Sequence, residues 1–282
     1  MPEGPLGDFT GRLPDEPVRE RFQSIILDHY AREGRDLPWR GTGDPYVVLV
    51  SELMLQQTQV SRVQKKWDEF ILHFPDLPSI ARASLSDVLT LWRGLGYNRR
   101  AKALKQIADT LTAAGAPVPR TVSGLQELPM IGPATARSIA VFAFNSPEIF
   151  IETNIRRVFI HFFFEGRDGV SDREILPIHE AVLYRKDPGR WYNALMDYGT
   201  ILGAGIPNAN LRSTGYTRQS PFAGSFRQLR GAVLRELAGG PARIEDVDIP
   251  EGFTRKQTAD CMRVLEREGF LVCENDGRYR IP

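Results

Sequence analysis

The sequence is poor in cysteine, in long apolar runs and in net charge, and each shortage narrows the class of protein. Cys261 and Cys273 are its only cysteines, so a disulfide-rich scaffold and a cluster held by four thiolates are both excluded. It has no stretch of about 18 apolar residues, which excludes a helix that spans a membrane. The N-terminus lacks the basic and apolar regions of a signal peptide. We therefore expect an intracellular protein.

The charged residues are unevenly distributed along the chain, although the net charge is small. Lys and Arg number 36 against 35 Asp and Glu, which gives a formal net charge of +1. No acidic residue lies between Asp197 and Glu236, however, and this stretch holds Arg212 and Arg218. A second basic cluster occurs within residues 93–105. A neutral protein can still present a cationic face to phosphates, although such runs are more often ordinary solvated surface.

Helical spacing of apolar residues dominates the chain after a first segment without periodicity. Residues 1–18 are rich in proline, glycine and aspartate and are predicted to form a flexible tail. Strand-like alternation is almost absent before residue 270, so the body is predicted to be all-α. The predicted helices cover residues 20–32, 46–74 with one break near residue 59, 85–92, 98–114, 121–127, a helix ending at 144, 154–164, 172–185 and 189–203.

The C-terminal part has a different pattern. Residues 206–221 are rich in Asn, Ser and Thr and indicate a linker or surface loop. Two helices, 224–238 and 254–268, then precede two short strands around an Asn-Asp-Gly turn signal. This pattern is typical of a winged helix-turn-helix and predicts a small α+β domain over residues 222–282.

The segment Leu128–Ala136 joins two predicted helices through a Leu-Pro-Met-Ile-Gly turn. The backbone N–H groups that such a turn presents at a helix N-terminus form a natural phosphate site, and Gly132 permits a close approach of the backbone. Such a turn alone is weak support for function. It is followed by Glu152, which the pattern places just before the N-terminus of another helix.

With these segments in view, the sequence resembles the helix-hairpin-helix DNA glycosylases, and within them the MutY adenine glycosylases. The resemblance runs from about residue 37 to residue 202. The MutY-like segments are Leu37–Arg40, Ser51–Val60, Gly94–Tyr97, Leu128–Ala136 and Ala194–Gly199. It implies a glycosylase domain of two helical subdomains over residues 19–221, which acts in base excision repair.

The resemblance also implies catalytic residues. Glu52 falls at the position of the glutamate that protonates the departing base, a role that needs a pKa raised by burial. Glu152 falls at the position of the superfamily's catalytic aspartate, which stabilises the positive charge of the sugar, and here a carboxylate of ordinary pKa is expected. Glutamate is one methylene longer, which is a departure from the pattern. Asn154 is expected to orient this carboxylate.

DNA contacts are implied at further positions. Gln57, Leu95 and Tyr97 match residues that wedge into the duplex and fill the gap left by a flipped nucleotide. Around the turn, the expected contacts are Met130, Gly132, Ala134 and Thr135, and Arg212 and Arg218 could meet phosphates. Bifunctional relatives have a lysine where this chain has Ala134, so the resemblance predicts base removal without a Schiff-base lyase step.

Two family features are missing. The four cluster cysteines of relatives would fall on Gly203, Asn210, Ser213 and Gln219, so no iron–sulfur cluster is expected and packing and hydrogen bonds must hold the loop. No cofactor is required, although the turn Leu128–Gly132 could bind a monovalent cation. The C-terminal segment stands where MutY proteins usually carry a larger domain that reads 8-oxoguanine.

The leading interpretation is excision of a mispaired or damaged base from double-stranded DNA, with adenine opposite guanine or 8-oxoguanine as the first candidate. A first alternative is excision of uracil, thymine or hypoxanthine from mismatches. A second is a non-catalytic DNA-binding protein. The glutamate in place of aspartate at position 152 favours this alternative, and the presence of Glu52 argues against it. We expect a monomer that does not contact membranes and lies in the cytoplasm with the nucleoid.

Overall fold

The computed structural model describes residues 2–205, 208–216 and 221–282 of the chain. Its helices confirm the predicted all-α body, and β1 (Val272–Cys273) pairs antiparallel with β2 (Tyr279–Arg280). No helix within these ranges is long and apolar enough to cross a membrane. The helices are α1 (Glu16–Glu33), α2 (Pro45–Leu55), α3 (Val60–His73), α4 (Leu77–Arg82), α5 (Leu85–Leu91), α6 (Arg99–Ala113), α7 (Val122–Gln126), α8 (Pro133–Phe144), α9 (Thr153–Phe163), α10 (Asp172–Val182), α11 (Pro188–Gly205), a short 3₁₀ helix (Ala209–Arg212), α12 (Phe226–Leu237) and α13 (Arg255–Arg267).

The chain folds into two compact units that do not follow its linear order. The first unit comprises Met1–Val48, Arg120–Gln126 and Ile131–Arg218. The second comprises Leu49–Pro119, Glu127–Met130 and Gln219–Pro282. The packing therefore groups the C-terminal segment with residues 49–119, whereas the domain limits predicted from the sequence divide the chain near residue 221. Those limits stay a prediction.

The core of the first unit is an aromatic cluster on α1, α9 and α11. The ring of Phe22, fully buried, meets Phe159, Phe163 and Trp191 edge-to-face at centroid distances of 5.7, 4.8 and 5.7 Å. Such pairs add about 0.5–1.5 kcal/mol each to the stabilisation from apolar burial. This cluster fixes α9, whose N-terminus carries Glu152.

The N-terminal segment is ordered against this core, which corrects the predicted flexible tail. The backbone N–H of Leu6 donates to Phe162 O at 2.9 Å, and that of Phe9 donates to Phe163 O at 2.8 Å. The Phe9 ring is 7% exposed and meets Phe163 at 5.5 Å. The sequence could not show this, because the carbonyl partners lie at the C-terminal end of a helix far along the chain.

In the second unit, α6 packs against α4 and α5, and α12 packs against α13. Helix α4 is absent from the sequence prediction, although Asp76 and Ser79 form a capping box at its start. The basic cluster of residues 93–105 is partly internal: Arg100 is 2% exposed, and Lys105 pairs with Asp109. Its role as a cationic face is reduced accordingly.

Candidate active site

Glu152 is the N-cap residue of α9 in the first unit, where the sequence places it. Its Oε1 accepts a hydrogen bond from the backbone N–H of Asn154 at 3.2 Å. Burial raises the pKa of Glu152, and hydrogen bonds from the Asn154 backbone and side chain and the Ile155 backbone offset this only in part. The expectation of an ordinary pKa is therefore wrong. The fixed carboxylate can still stabilise a cation when it is ionised.

Asn154 is held in turn by α11. Its Oδ1 accepts from Arg157 Nη1 at 3.0 Å, and the same nitrogen donates to Gly199 O at 2.6 Å. A Cβ on Gly199 would lie 2.5 Å from Asn154 O, so only glycine allows this close approach of the two helices. The predicted motif at Ala194–Gly199 thus positions the first turn of α9 and, with it, Glu152.

Asp197, on the same helix α11, joins that motif to the predicted segment Leu37–Arg40. The residue is 3% exposed, and its carboxylate accepts from Arg40 Nη1 at 2.9 Å, Arg40 Nη2 at 2.8 Å and Arg35 Nε at 2.6 Å. Burial acts to raise the pKa of Asp197, but the hydrogen bonds from Arg40 and Arg35 outweigh it and the pKa is lowered. One ionised carboxylate therefore fixes two motifs that are distant in sequence.

Polar contacts hold the loop in which the cluster cysteines of relatives would fall. Asn210 is 2% exposed and donates through Nδ2 to Thr153 O at 3.1 Å, at the start of α9. Ser213 Oγ accepts from the backbone N–H of Gly215 at 3.1 Å. At Gly203, a Cβ would lie 2.5 Å from the Arg157 guanidinium. Asn210 and Gly203 therefore serve the packing at the start of α9, and Ser213 stabilises its own turn. The fourth position, Gln219, lies outside the described residues.

Arg212 has internal partners, which differs from its predicted role at phosphates. Its Nη1 donates to Phe164 O at 2.9 Å, and Nη2 donates to Ile160 O at 3.3 Å. These are carbonyls that the C-terminal end of α9 leaves without helical partners. Arg212 therefore caps α9 in this structure. Arg218 lies outside the described residues, so its DNA contact stays a prediction.

The hairpin turn exposes Met130 and Gly132 and buries Leu128 and Ile131. Leu128 is 8% exposed, whereas Met130 is 49% exposed with a φ of 61°. Gly132 caps α8 with a φ of −77°, and no described atom beyond its chain neighbours lies within 4 Å of the place that a Cβ would take. Neither backbone conformation nor a protein neighbour therefore requires this glycine, and the open space suits a phosphate. Ala134 is exposed and Thr135 partly buried in the first turn of α8.

Glu52 lies in the second unit, near the C-terminal end of α2. Its side chain is partly buried, whereas Leu53 and Met54 beside it are fully buried. Ser51, on its other side, is 2% exposed. The residues directly beside Glu52 in the chain are therefore packed into the interior, whereas its own side chain reaches partly to the surface. Its role as the general acid stays a prediction.

Arg100 organises the second unit at the end of α2, although sequence reasoning assigned it no separate role. It is 2% exposed, and burial lowers its pKa to about 10. Within the described chain, its guanidinium is surrounded by oxygen atoms from two turns. It donates to the carbonyls of Leu53 at 2.8 Å, Met54 at 2.7 Å, Gln56, Leu95 at 3.2 Å and Gly96 at 3.0 Å, and to Thr58 Oγ1 at 2.9 Å.

The turns that Arg100 joins carry the predicted wedge residues. Gln57 has a φ of 53° and is exposed; Tyr97 has a φ of 49° and is 36% exposed. Together with Met130, they make three of the four non-glycine residues with positive φ in the described ranges. Backbone strain of this kind concentrates at functional sites. Leu95 is instead 3% exposed, so the prediction that it enters the duplex is corrected to a packing role.

Comparisons with known proteins show which family the chain belongs to. Residues 50–176 match the HhH-GPD superfamily of base excision DNA repair proteins. The chain is 32% identical over 297 residues to the adenine DNA glycosylase of Mycobacterium tuberculosis, an alignment that covers 96% of this chain and 97% of that protein. The chain belongs to the adenine DNA glycosylase family. This membership confirms the predicted resemblance to the helix-hairpin-helix superfamily.

The relatives within the family differ in how much of the chain they match. The adenine DNA glycosylase of Mycolicibacterium smegmatis is 33% identical over 91% of this chain and 94% of its own length. The mouse adenine DNA glycosylase is 35% identical, but over 64% of this chain and 38% of its own length. The mycobacterial relatives thus match nearly the whole chain, whereas the mouse protein matches about two thirds of it.

Solved structures support the fold of this family member. A thermostable thymine-DNA glycosylase, 25% identical, superposes with a TM-score of 0.59 over 68% of this chain and 91% of its own. Endonuclease III in a trapped covalent intermediate with DNA, 16% identical, superposes with a TM-score of 0.56 over 76% of this chain and 93% of its own. The predicted helix-hairpin-helix glycosylase fold is confirmed.

Proposed function

We propose that this family member hydrolyses the N-glycosidic bond of a flipped adenine that is mispaired with guanine or 8-oxoguanine in duplex DNA. The observation that carries the proposal is the match to adenine DNA glycosylases along nearly the whole chain. The carboxylate of Glu152, fixed by Asn154 at the start of α9, supports it independently. Excision would make the chain a base excision repair enzyme.

The proposed reaction divides its work between two carboxyl groups. Glu52 protonates the adenine, which makes it a better leaving group, and the glycosidic bond breaks with its electron pair going to the base. Ionised Glu152 stabilises the resulting sugar cation and positions the water that adds to it, and the proton that this water loses passes to solvent. Because Ala134 offers no amine nucleophile, the product is an intact strand with an abasic site, without a lyase step.

Further parts of the proposal concern partners. Gln57, Tyr97 and Met130 enter the duplex, and the N–H groups at the start of α8 bind a backbone phosphate. We propose that the protein acts as a monomer without an iron–sulfur cluster. A monovalent cation at the carbonyls of Leu128–Gly132 would be compatible with this phosphate site. We also propose that it acts in the cytoplasm, at the DNA of the nucleoid.

The test uses purified protein and duplexes that contain A:8-oxoG, A:G, U:G, T:G and hypoxanthine:T. Single-turnover reactions are divided, and one half is treated with alkali before the strands are separated. We expect cleavage of the adenine strand of A:8-oxoG and A:G, and only after alkali. Scission without alkali would contradict the role given to Ala134, and no excision from any duplex would overturn the enzyme proposal.

Thymine excision is the second candidate, because the thymine-DNA glycosylase structure superposes well and is 25% identical. The T:G duplex in the same panel separates the two. A rate on T:G above the rates on both adenine mismatches would reassign the substrate. The non-catalytic alternative predicts binding to the panel with no alkali-labile product.

A further inference from the structure

A charge cluster around Glu268 fixes the C-terminal segment to α6 inside the second unit. The Glu268 carboxylate pairs with Arg230 of α12 at 2.6 Å and with Arg99 of α6. Lys102 of α6 donates to the Glu268 carbonyl. Phe270, 1% exposed, lies 5.2 Å from Lys102 Nζ and 5.7 Å from the Arg230 guanidinium. The position of α12 relative to α6 is therefore determined by several buried or partly buried contacts.

This anchoring brings Arg227, in the first turn of α12, to the predicted wedge residue Tyr97. Arg227 Nη1 donates to the Tyr97 hydroxyl at 3.1 Å, and Nη2 donates to Pro221 O at 3.4 Å. Phe222 and Phe226, close to Arg227 in the chain, are 62% and 46% exposed. Two exposed aromatic side chains so close in sequence to a cation are unusual on a surface that meets only solvent.

The place of Tyr97 indicates what Arg227 would meet. A wedge that fills the gap left by a flipped nucleotide borders the base that has lost its partner. The hydroxyl is the tip of the wedge, so a guanidinium in hydrogen-bond contact with it lies within reach of that orphaned base. Guanine presents the O6 and N7 acceptors, which match the paired donors of arginine.

We propose that Arg227 recognises a guanine-type base opposite the excised one, and that Phe222 and Phe226 support the displaced stack. The proposal rests on the proposed function in that Tyr97 must act as a wedge in DNA. The C-terminal segment thereby becomes the sensor of the opposing base. Its attachment to α6 places the sensor next to the residue that opens the duplex.

The experiment measures binding, so it does not depend on turnover. The full-length protein is titrated with duplexes in which a tetrahydrofuran abasic analogue stands opposite guanine, 8-oxoguanine, cytosine or thymine. We expect the wild-type protein to prefer guanine or 8-oxoguanine, and Arg227→Met to lose about 5- to 150-fold of that preference. Tyr97→Phe removes the hydroxyl contact while keeping the ring, and should lower the preference in the same direction.

The matched control is Arg235→Met, an exposed arginine eight residues further along the same helix, about 12 Å away. Any loss of affinity in this variant should be equal for all opposing bases. An unchanged preference in Arg227→Met, or a wild-type protein without preference for guanine-type bases, would overturn the proposal. Failure of the proposed adenine excision is seen separately, in the duplex panel with alkali.

Discussion

Asp197 in the first unit and Arg100 in the second unit are both buried charges beneath a predicted site, 3% and 2% exposed, but they are accommodated differently. Asp197 is paired with two arginines, and its pKa is lowered despite its burial. Arg100 binds carbonyl and hydroxyl oxygens of two turns, and burial lowers its pKa to about 10. One charge is neutralised by its partners, and the other is solvated by backbone dipoles.

The difference matches what the proposed function requires of each region. The ion pairs at Asp197 hold α11 against the segment before α2, and α11 in turn supports the first turn of α9. A carboxylate that stabilises a sugar cation needs such a rigid support. Arg100 instead keeps two exposed turns together at their bases and leaves Gln57 and Tyr97 outside. The second unit therefore combines a fixed base with projecting side chains, which suits insertion into a duplex.

The largest expected effect concerns the chemistry of the first unit. Glu152→Gln removes the negative charge while keeping the shape, so adenine excision should fall by about a thousandfold or more. DNA affinity should change little, because the wedge residues are intact. Single-turnover rates and equilibrium binding on the A:8-oxoG duplex measure both. An active Glu152→Gln variant would show that another carboxylate stabilises the cation.

Asp197→Asn tests the paired charge. It leaves Arg40 and Arg35 without a compensating anion, and breaking such a buried pair costs about 3–5 kcal/mol in the free energy of unfolding. Urea denaturation followed by circular dichroism gives the value. Glu69→Gln, which breaks an exposed pair with Lys66 on α3, serves as the control and should leave the stability unchanged. Equal stability of the Asp197 variant would refute its supporting role.

Arg100→Met tests the charge that is solvated by dipoles. It leaves several carbonyls in two turns without donors, so we expect a loss of about 2–4 kcal/mol in the free energy of unfolding. Arg100→Lys keeps the charge but fewer donors, and should recover part of this loss. Base flipping, reported by 2-aminopurine fluorescence in a bound duplex, should weaken in Arg100→Met more than in Asp197→Asn. The reverse order would contradict the comparison.

The smallest expected effect is a pH dependence of stability that arises from His179. This residue is a buried titratable group that carries no charge in the folded state. Neither of its ring nitrogens has a hydrogen-bond partner in the described chain, and burial lowers its pKa from 6.5 to about 3. The unfolded chain binds a proton below pH 6.5, so stability that is complete above this pH is lost as the pH falls toward 3. Between about pH 7.5 and pH 5 the loss should be about 2 kcal/mol.

His179→Phe should remove that part of the pH dependence, as measured by urea unfolding at both pH values. His73→Phe, on the exposed end of α3, should leave the loss in place. A pH dependence that persists unchanged in His179→Phe would mean that other groups account for the acid sensitivity of the first unit.

The helices could be predicted because their apolar periodicity is local. The predicted helix 98–114 is observed as Arg99–Ala113, and 85–92 as Leu85–Leu91. The family motifs likewise located Glu152 before α9. Helix α4 was missed because it has fewer than two turns, although its capping box at Asp76 was visible in the sequence.

The remaining features depend on partners that are distant in sequence. Arg100 looks like one member of a basic cluster until the fold encloses it with carbonyls from residues 53–56 and 95–96. Phe9 appears to belong to a tail, because its burial depends on α9. The contact of Arg227 with Tyr97 joins residues 130 positions apart. No local pattern encodes such pairs. The two arginines that closely follow the Gly-Leu-Gly-Tyr turn are a local signal of a structural role.

The positive φ angles of Gln57, Tyr97 and Met130 have a consequence for engineering the protein. Each left-handed non-glycine residue costs about 1–2 kcal/mol, so glycine at these positions would relieve the backbone. A redesign guided by thermal stability alone would choose these substitutions first. It would yield a more robust protein without the side chains that we propose enter the duplex, so thermostable variants should be selected with these three positions held constant.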